Sequence, residues 1–208
     1  MWLTAPNPSV ERTSQRPLRA LWPAAHVERR AAEPMHVARL QPSDAAQYRV
    51  LMLQAYELAA DAFTSTAEER ATEPEAFWVK RISDPTGGSA AFGAFEGQEL
   101  VGTVALEFSG KPKTRHKALV IGMYSAPAAR GKGVGRALLE AAIEHARAKA
   151  GLLTLVLTVT EGNEPAVNLY RSAGFQTIGV EPMAIRTPTG FKGKVHMWLP
   201  LRQGATAA

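Results

Sequence analysis

Residues 118–137 read ALVIGMYSAPAARGKGVGRA and run directly into LLEAAIEHARAKA, with the apolar stretch LLTLVLTV at 152–159. This is a strand, a glycine-rich turn, a helix and a second strand. Two strands joined through a helix must lie parallel, because the crossover returns the chain to the same end of the sheet. Upstream, SAAFGAFEGQELVGTVALEF (89–108) alternates as two strands joined at Glu96-Gly97-Gln98, an antiparallel hairpin. One chain holding both connections predicts a mixed α/β sheet.

The remaining elements are read the same way. His36–Leu40 is a short strand, and Pro42-Ser43-Asp44 opens a helix carrying YRVLMLQAYELAA. TEPEAFWVKRI holds a second helix, with Thr72 as its N-cap and Phe77 and Trp78 in its core-facing pattern. DPTGG (84–88) is a turn. The Gly-rich turn leads into a helix over Val134–Ala150, and LLTLVLTV reads as a strand buried on both faces. A last helix spans Glu164–Ala173, with Gly174 at its exit, before two late strands near Gln176–Val180 and Val195–Leu199. Residues 1–34 carry Pro at 6, 8, 17, 23 and 34 and no sustained period. They read as a disordered leader or as residues ahead of a true start at Met35. A single domain is expected over 35–201, with 202–208 a flexible tail.

Composition excludes several classes. There is no cysteine, hence no disulfide, thiolate metal site or cysteine nucleophile, which fits a cytoplasmic protein. The five histidines (26, 36, 116, 145, 196) have no metal-ligand spacing, so no metal is expected. No apolar stretch is long enough to span a bilayer, so no membrane partner is expected. The net charge is +5, of which the leader carries +2, too little elsewhere for a nucleic-acid face.

The cationic turn must still hold some anion. The pattern G-x-x-x-x-G-K-[ST] is absent, because Gly follows Lys132. The dinucleotide pattern G-x-G-x-x-G also fails, since Arg136 and Leu138 occupy its last position in the two possible frames. What stands is Arg130-x-x-Gly133-x-Gly135 at a strand-to-helix turn, a pyrophosphate cradle. There the backbone of Gly131, Gly133, Val134 and Gly135 can approach a ligand, the first-turn N–H groups point at it, and Arg130, Lys132 and Arg136 add charge.

At these residues the chain resembles the GNAT superfamily of acyl-coenzyme A-dependent N-acyltransferases. Arg130, Gly133 and Gly135 match its motif R/Q-x-x-G-x-G/A, and NEPAVNLYRSAGF (163–175) resembles its second cofactor motif. The resemblance covers about Met35–Leu201 and is weakest over the two N-terminal helices, where such enzymes shape their acceptor sites. It implies a mostly antiparallel sheet of six to seven strands flanked by about four helices, with a V-shaped splay between two central parallel strands. It implies acetyl-CoA as co-substrate, held by the backbone of Met123, Tyr124 and Ser125 and by the glycine turn. It also implies an amine acceptor, either a small molecule or a protein N-terminus or lysine. Homodimers are frequent in the superfamily, although no residue here marks an interface.

Tyr170 is the candidate general acid, since a phenol is protonated at neutral pH and can donate to a departing thiolate. Asn163 is both a helix N-cap and a candidate hydrogen-bond partner of pantetheine, and Arg171 a candidate for the nucleotide phosphates. For a base, Glu107 ranks ahead of His116, with ordered water as the alternative to either. Glu68 and Glu69 are candidates for holding a cationic acceptor. The competing reading is a non-catalytic coenzyme A-binding module, which loss of Tyr170 would have favoured.

Overall fold

The computed structural model of the chain describes residues 34–201. The expectations for the leader and for the tail lie outside the described residues. Seven strands form one sheet in the order β1-β2-β3-β4-β5-β7-β6. They are β1 His36–Arg39, β2 Ser89–Glu96, β3 Glu99–Phe108, β4 Lys117–Ser125, β5 Thr154–Thr160, β6 Gln176–Thr187 and β7 Gly190–Pro200. Every neighbouring pair is antiparallel except β4 with β5. That exception is the pair joined through helix α4 (Val134–Ala148), as a crossover requires.

The central strands are covered on both faces. On one side, α1 (Ala45–Leu58) and α3 (Glu75–Ile82) bury Tyr48, Met52, Trp78 and Ile82 against Ala91, Leu100 and Ala105. On the other, α4 and α5 (Glu164–Ser172) pack Leu138, Leu139, Ala142 and Val167 over Val104, Leu106, Leu155 and Leu157. β3 alternates between the two cores, the period-two consequence of its pleat.

Four details differ from the sequence reading, each for a local reason. Thr72 does not cap α3, whose N-cap is Pro74. It closes instead a short helix α2, Ala67–Ala71, donating its hydroxyl to Glu69 O at 2.9 Å. That helix begins with a capping box in which Thr66 and Glu69 satisfy each other's backbone N–H. β5 is not buried on both faces: Leu155, Leu157 and Val159 are buried, but Thr158 is exposed. The late strands are longer than expected because Pro182 lies on the edge strand β6. There its missing N–H costs no ladder bond, and a bulge between Glu181 and Ile185 absorbs it.

The feature that positions the site is where the parallel pair stops. β4 and β5 pair only from Lys117 with Thr154 to Leu119 with Val156. Beyond those residues both strands continue unpaired with each other, to Ser125 and Thr160. Gly122 drives β4 aside. Between the pairs Thr103–Tyr124 and Ala105–Ile121, two residues of β4 oppose one of β3. Gly122 sits in this bulge at φ 61°, a conformation glycine adopts without strain. The result is a V-shaped opening in the middle of the sheet.

Candidate functional site

The opening is the mouth of a cleft of about 380 Å³. Ile121, Gly122 and Met123 of β4, Thr158 and Thr160 of β5, Asn163 at the N-cap of α5 and Tyr170 of α5 line it. β4 and the Asn163–Tyr170 segment thus meet at the cleft, because α4 and β5 bring the chain back beside β4; the glycine turn lies outside the cleft lining and touches this region through Gly135, beside Leu169 and Met123.

At the foot of β4 the turn is built from left-handed glycines. Gly131 has φ 76°, and Gly133, the N-cap of α4, has φ 81°. No side chain caps α4, and the first intrahelical bond shown runs from Ala137 N to Gly133 O. The N–H groups of Val134, Gly135 and Arg136 are therefore left for an external acceptor, at the positive end of the helix dipole. Nothing stands within 4 Å of where a Cβ on Gly133 would lie. Gly135 acts differently. A Cβ there would sit 3.2 Å from Leu169 Cδ2, so its absence lets α4 close onto α5. An open, glycine-lined cradle with free donors fits a pyrophosphate.

The three cations of the turn are not free-standing. Arg130 Nε donates to Ser125 O at 3.2 Å, Lys132 pairs with Glu96 at 2.7 Å, and Arg136 with Glu140 at 2.8 Å. The two ion pairs are exposed and worth little, so phosphate oxygens can compete for both cations.

Tyr170 is 6% exposed, stacked edge-on against Phe175 at 5.7 Å between ring centres, and opens onto the cleft. Burial alone pushes its phenol well above the ordinary tyrosine range, so it is held protonated. Asn163 caps α5, its Oδ1 accepting from Ala166 N at 3.3 Å, while also lining the cleft. Glu107, at the end of β3, lines the cleft too. Tyr124 is buried, its ring 5.9 Å from the Arg130 guanidinium, and Ser125 ends β4.

Other sequence candidates are not brought there. His116 lies ahead of β4 at the paired end, its carbonyl accepting from Leu153 N and Thr154 N, and is not a cleft residue. Arg171 is exposed on α5 outside the cleft lining. Glu69 is spent in the capping box, and Glu68 borders a neighbouring pocket instead. Sequence reasoning missed Gly122, signalled by a lone glycine inside the apolar run ALVIGMYS. It also missed Arg70, Arg81 and Lys194, which line the cleft as well. Nothing in a single helix or strand marks such cations as convergent.

Among the described residues no group of three or more acidic or histidine side chains could hold a metal, and no helix is long and apolar enough to cross a membrane.

Known proteins match this architecture. Streptothricin acetyltransferase of Escherichia coli is 34% identical over 110 residues, 53% of this chain and 60% of that protein. N-alpha-acetyltransferase RimI of Mycobacterium tuberculosis is 36% identical over 89 residues, 42% of this chain and 52% of that one. The chain thus matches little more than half the length of these relatives. Among solved structures, yncA of Salmonella typhimurium, determined with its cofactor acetyl-CoA, superposes with a TM-score of 0.70 at 21% identity, covering 85% of this chain and 99% of that one. A GNAT-family acetyltransferase of Streptococcus pneumoniae gives 0.67 at 26% identity, covering 80% and 99%. The model of the acetyltransferase (GNAT) family matches residues 52–175, from within α1 through the glycine turn to just past α5, and the chain belongs to that family.

Proposed function

We propose that the protein is an acetyl-CoA-dependent N-acetyltransferase that acetylates a primary amine by direct attack. The observation that carries this reading is the coincidence of the opened β4–β5 pair with a buried, protonated Tyr170 lining the same cleft. Acetyl-CoA supplies the thioester whose acetyl group passes to the amine nitrogen. The uncapped N–H groups of Val134, Gly135 and Arg136 take the pyrophosphate, with Arg130, Lys132 and Arg136 around it. The free edge of β4 over Met123, Tyr124 and Ser125 takes the pantetheine arm, and Asn163 a further hydrogen bond.

Within the cleft, Glu107 accepts the proton that the amine loses, directly or through water, as the nitrogen forms its new bond to the carbonyl carbon. Tyr170 gives its phenolic proton to the sulfur as the C–S bond breaks, so free thiol leaves and the tyrosinate is reprotonated from solvent. Backbone N–H groups on the free edge of β4 supply the dipole that stabilises charge on the carbonyl oxygen.

The test is release of free thiol from acetyl-CoA over an amine panel, comparing wild type with Gly133→Glu. Amine-dependent thiol release that disappears in the variant supports the reading. Acetyl-CoA binding without turnover of any amine contradicts it and leaves a coenzyme A-binding module.

A further inference from the structure

We infer that the acceptor is a free amino acid or a close analogue, its amine directed to Glu107 and its carboxylate held by Arg81. This rests on the acetyltransferase reading and deepens it.

Besides the β4, β5 and α5 residues, the cleft is lined by Tyr56, Phe63, Arg70, Arg81, Glu107 and Lys194. Arg70 already has an anion: it donates to Glu73 at 3.1 Å and to Ser65 Oγ at 2.7 Å and lies over Phe77 at 4.8 Å, although its Nε is buried without an acceptor. It braces the loop before α2. Arg81 is different. Among the described residues no carboxylate reaches it within ion-pair distance, and its buried Nε has no acceptor. The Tyr48 hydroxyl lies beside the guanidinium and interacts with it, but stands outside good hydrogen-bond geometry and carries no anion. The Phe77 ring, 5.6 Å away, holds its flat side. A half-buried guanidinium fixed by aromatic neighbours and left without an anion is costly unless something else brings one.

The charges around it point the same way. Lys194 of β7 also makes no ion pair among the described residues. Burial pulls its ammonium below the ordinary lysine range, with Glu181 pulling in the opposite direction. Glu107 lies near enough to Arg81 to feel its charge without bonding to it. With Arg70 paired to Glu73, Arg81 stands near Glu107 without an ion pair, while Lys194 lies further along the cleft beside Thr160, with Glu181 near it. A polyamine or other polycation brings no anion to Arg81, and a protein N-terminus offers an amide carbonyl where Arg81 asks for an anion. A zwitterion answers both groups at once. A guanidinium recognises a carboxylate through paired, charge-assisted hydrogen bonds, so the geometry discriminates as well as attracts.

The experiment uses the full chain, after calorimetry has established that acetyl-CoA binds. Absence of that binding removes the acetyltransferase reading, and this inference with it, and is seen separately. A mixture of free L-amino acids is then compared with the corresponding amino-acid amides and spermidine, with acetylated products read by mass spectrometry. The expected result is acetylation of free acids, with amides and spermidine slower by on the order of 10²-fold, the penalty for leaving a buried donor unpaired. Arg81→Gln raises KM for the preferred acid by a similar factor of about 10² while kcat and acetyl-CoA affinity stay within about three-fold. KM for the amide of that acid does not move. Arg81→Lys keeps the charge but loses the fork, and serves if the glutamine variant does not fold; about a ten-fold rise is expected. A second readout needs no turnover: the preferred acid titrated into coenzyme A-loaded protein binds, and its amide does not. Amides or spermidine acetylated as fast as the acids overturn the inference, as does a protein that binds acetyl-CoA yet acetylates no free acid.

Discussion

Replacing Tyr170 by Phe separates a catalytic phenol from a structural one, because the two roles predict opposite effects on stability. The ring is 6% exposed and packs edge-on against Phe175 at 5.7 Å, a contact phenylalanine keeps. Burial alone shifts the phenol, with no charge or side-chain hydrogen bond contributing. Deleting the hydroxyl therefore removes no hydrogen bond to another described residue. Such a deletion is close to neutral or stabilising by up to about 1 kcal/mol. For a chain of this size that leaves Tm unchanged or raises it by roughly 2–4 °C. Turnover should fall by about 10²–10⁴-fold, the usual contribution of a positioned general acid, while acetyl-CoA affinity stays the same. The pH profile adds a sign. Because burial raises the phenol, its acidic form persists above the ordinary tyrosine value near 10, so wild-type kcat shows no loss from Tyr170 between pH 6 and about 9. The assay is thiol release under saturating acetyl-CoA, beside thermal unfolding. A Phe variant that turns over within three-fold of wild type refutes the assignment of Tyr170 as the acid. A variant that loses activity only as it loses stability refutes it equally.

Two further outcomes follow from particular residues. Gly122→Val places a β-branched residue at φ 61° and should cost about 2 kcal/mol, a Tm drop of roughly 4–8 °C, and should weaken acetyl-CoA binding because the bulge holds the parallel pair open. A variant of wild-type stability would mean that the bulge is not strained by side chains. His145, half-buried against Phe92, has its imidazole pKa lowered by burial and then by Arg39 and Lys149. The unfolded chain binds that proton more readily, so this contribution is complete above about pH 6.5 and is lost as pH falls toward the depressed folded value. His145→Gln should flatten the decline of Tm below pH 6.5, and an unchanged slope would exclude His145 as its source.

The sequence disclosed the elements whose local chemistry is complete in themselves. The hairpin at Gly97-Gln98 and the strand–turn–helix around Gly133 are such cases, because turn geometry and period decide them without distant partners. The segments 130–135 and 163–175 were legible as a turn into a helix and a capped helix for the same reason. What stayed hidden depended on neighbours. Thr72 reads equally well as the start of one helix or the end of another, and only the Thr66–Glu69 capping box decides for the latter. LLTLVLTV reads as doubly buried, yet Thr158 faces the cleft because β4 turns away beyond Leu119. Pro182 argues against a strand unless that strand is known to be an edge. Arg81 sits in an ordinary amphipathic helix, and its lack of a partner emerges only when β3 and β7 are in place.

The most direct test of the central claim is calorimetric titration of the full chain with acetyl-CoA, wild type against Gly133→Glu. At φ 81° the glutamate is strained, and its carboxylate enters the space where the pyrophosphate is placed. Wild-type binding with a Kd on the order of micromolar, or about −8 kcal/mol, that is lost in a folded variant is the predicted result. No binding to folded wild type, or equal binding by both proteins, would contradict it.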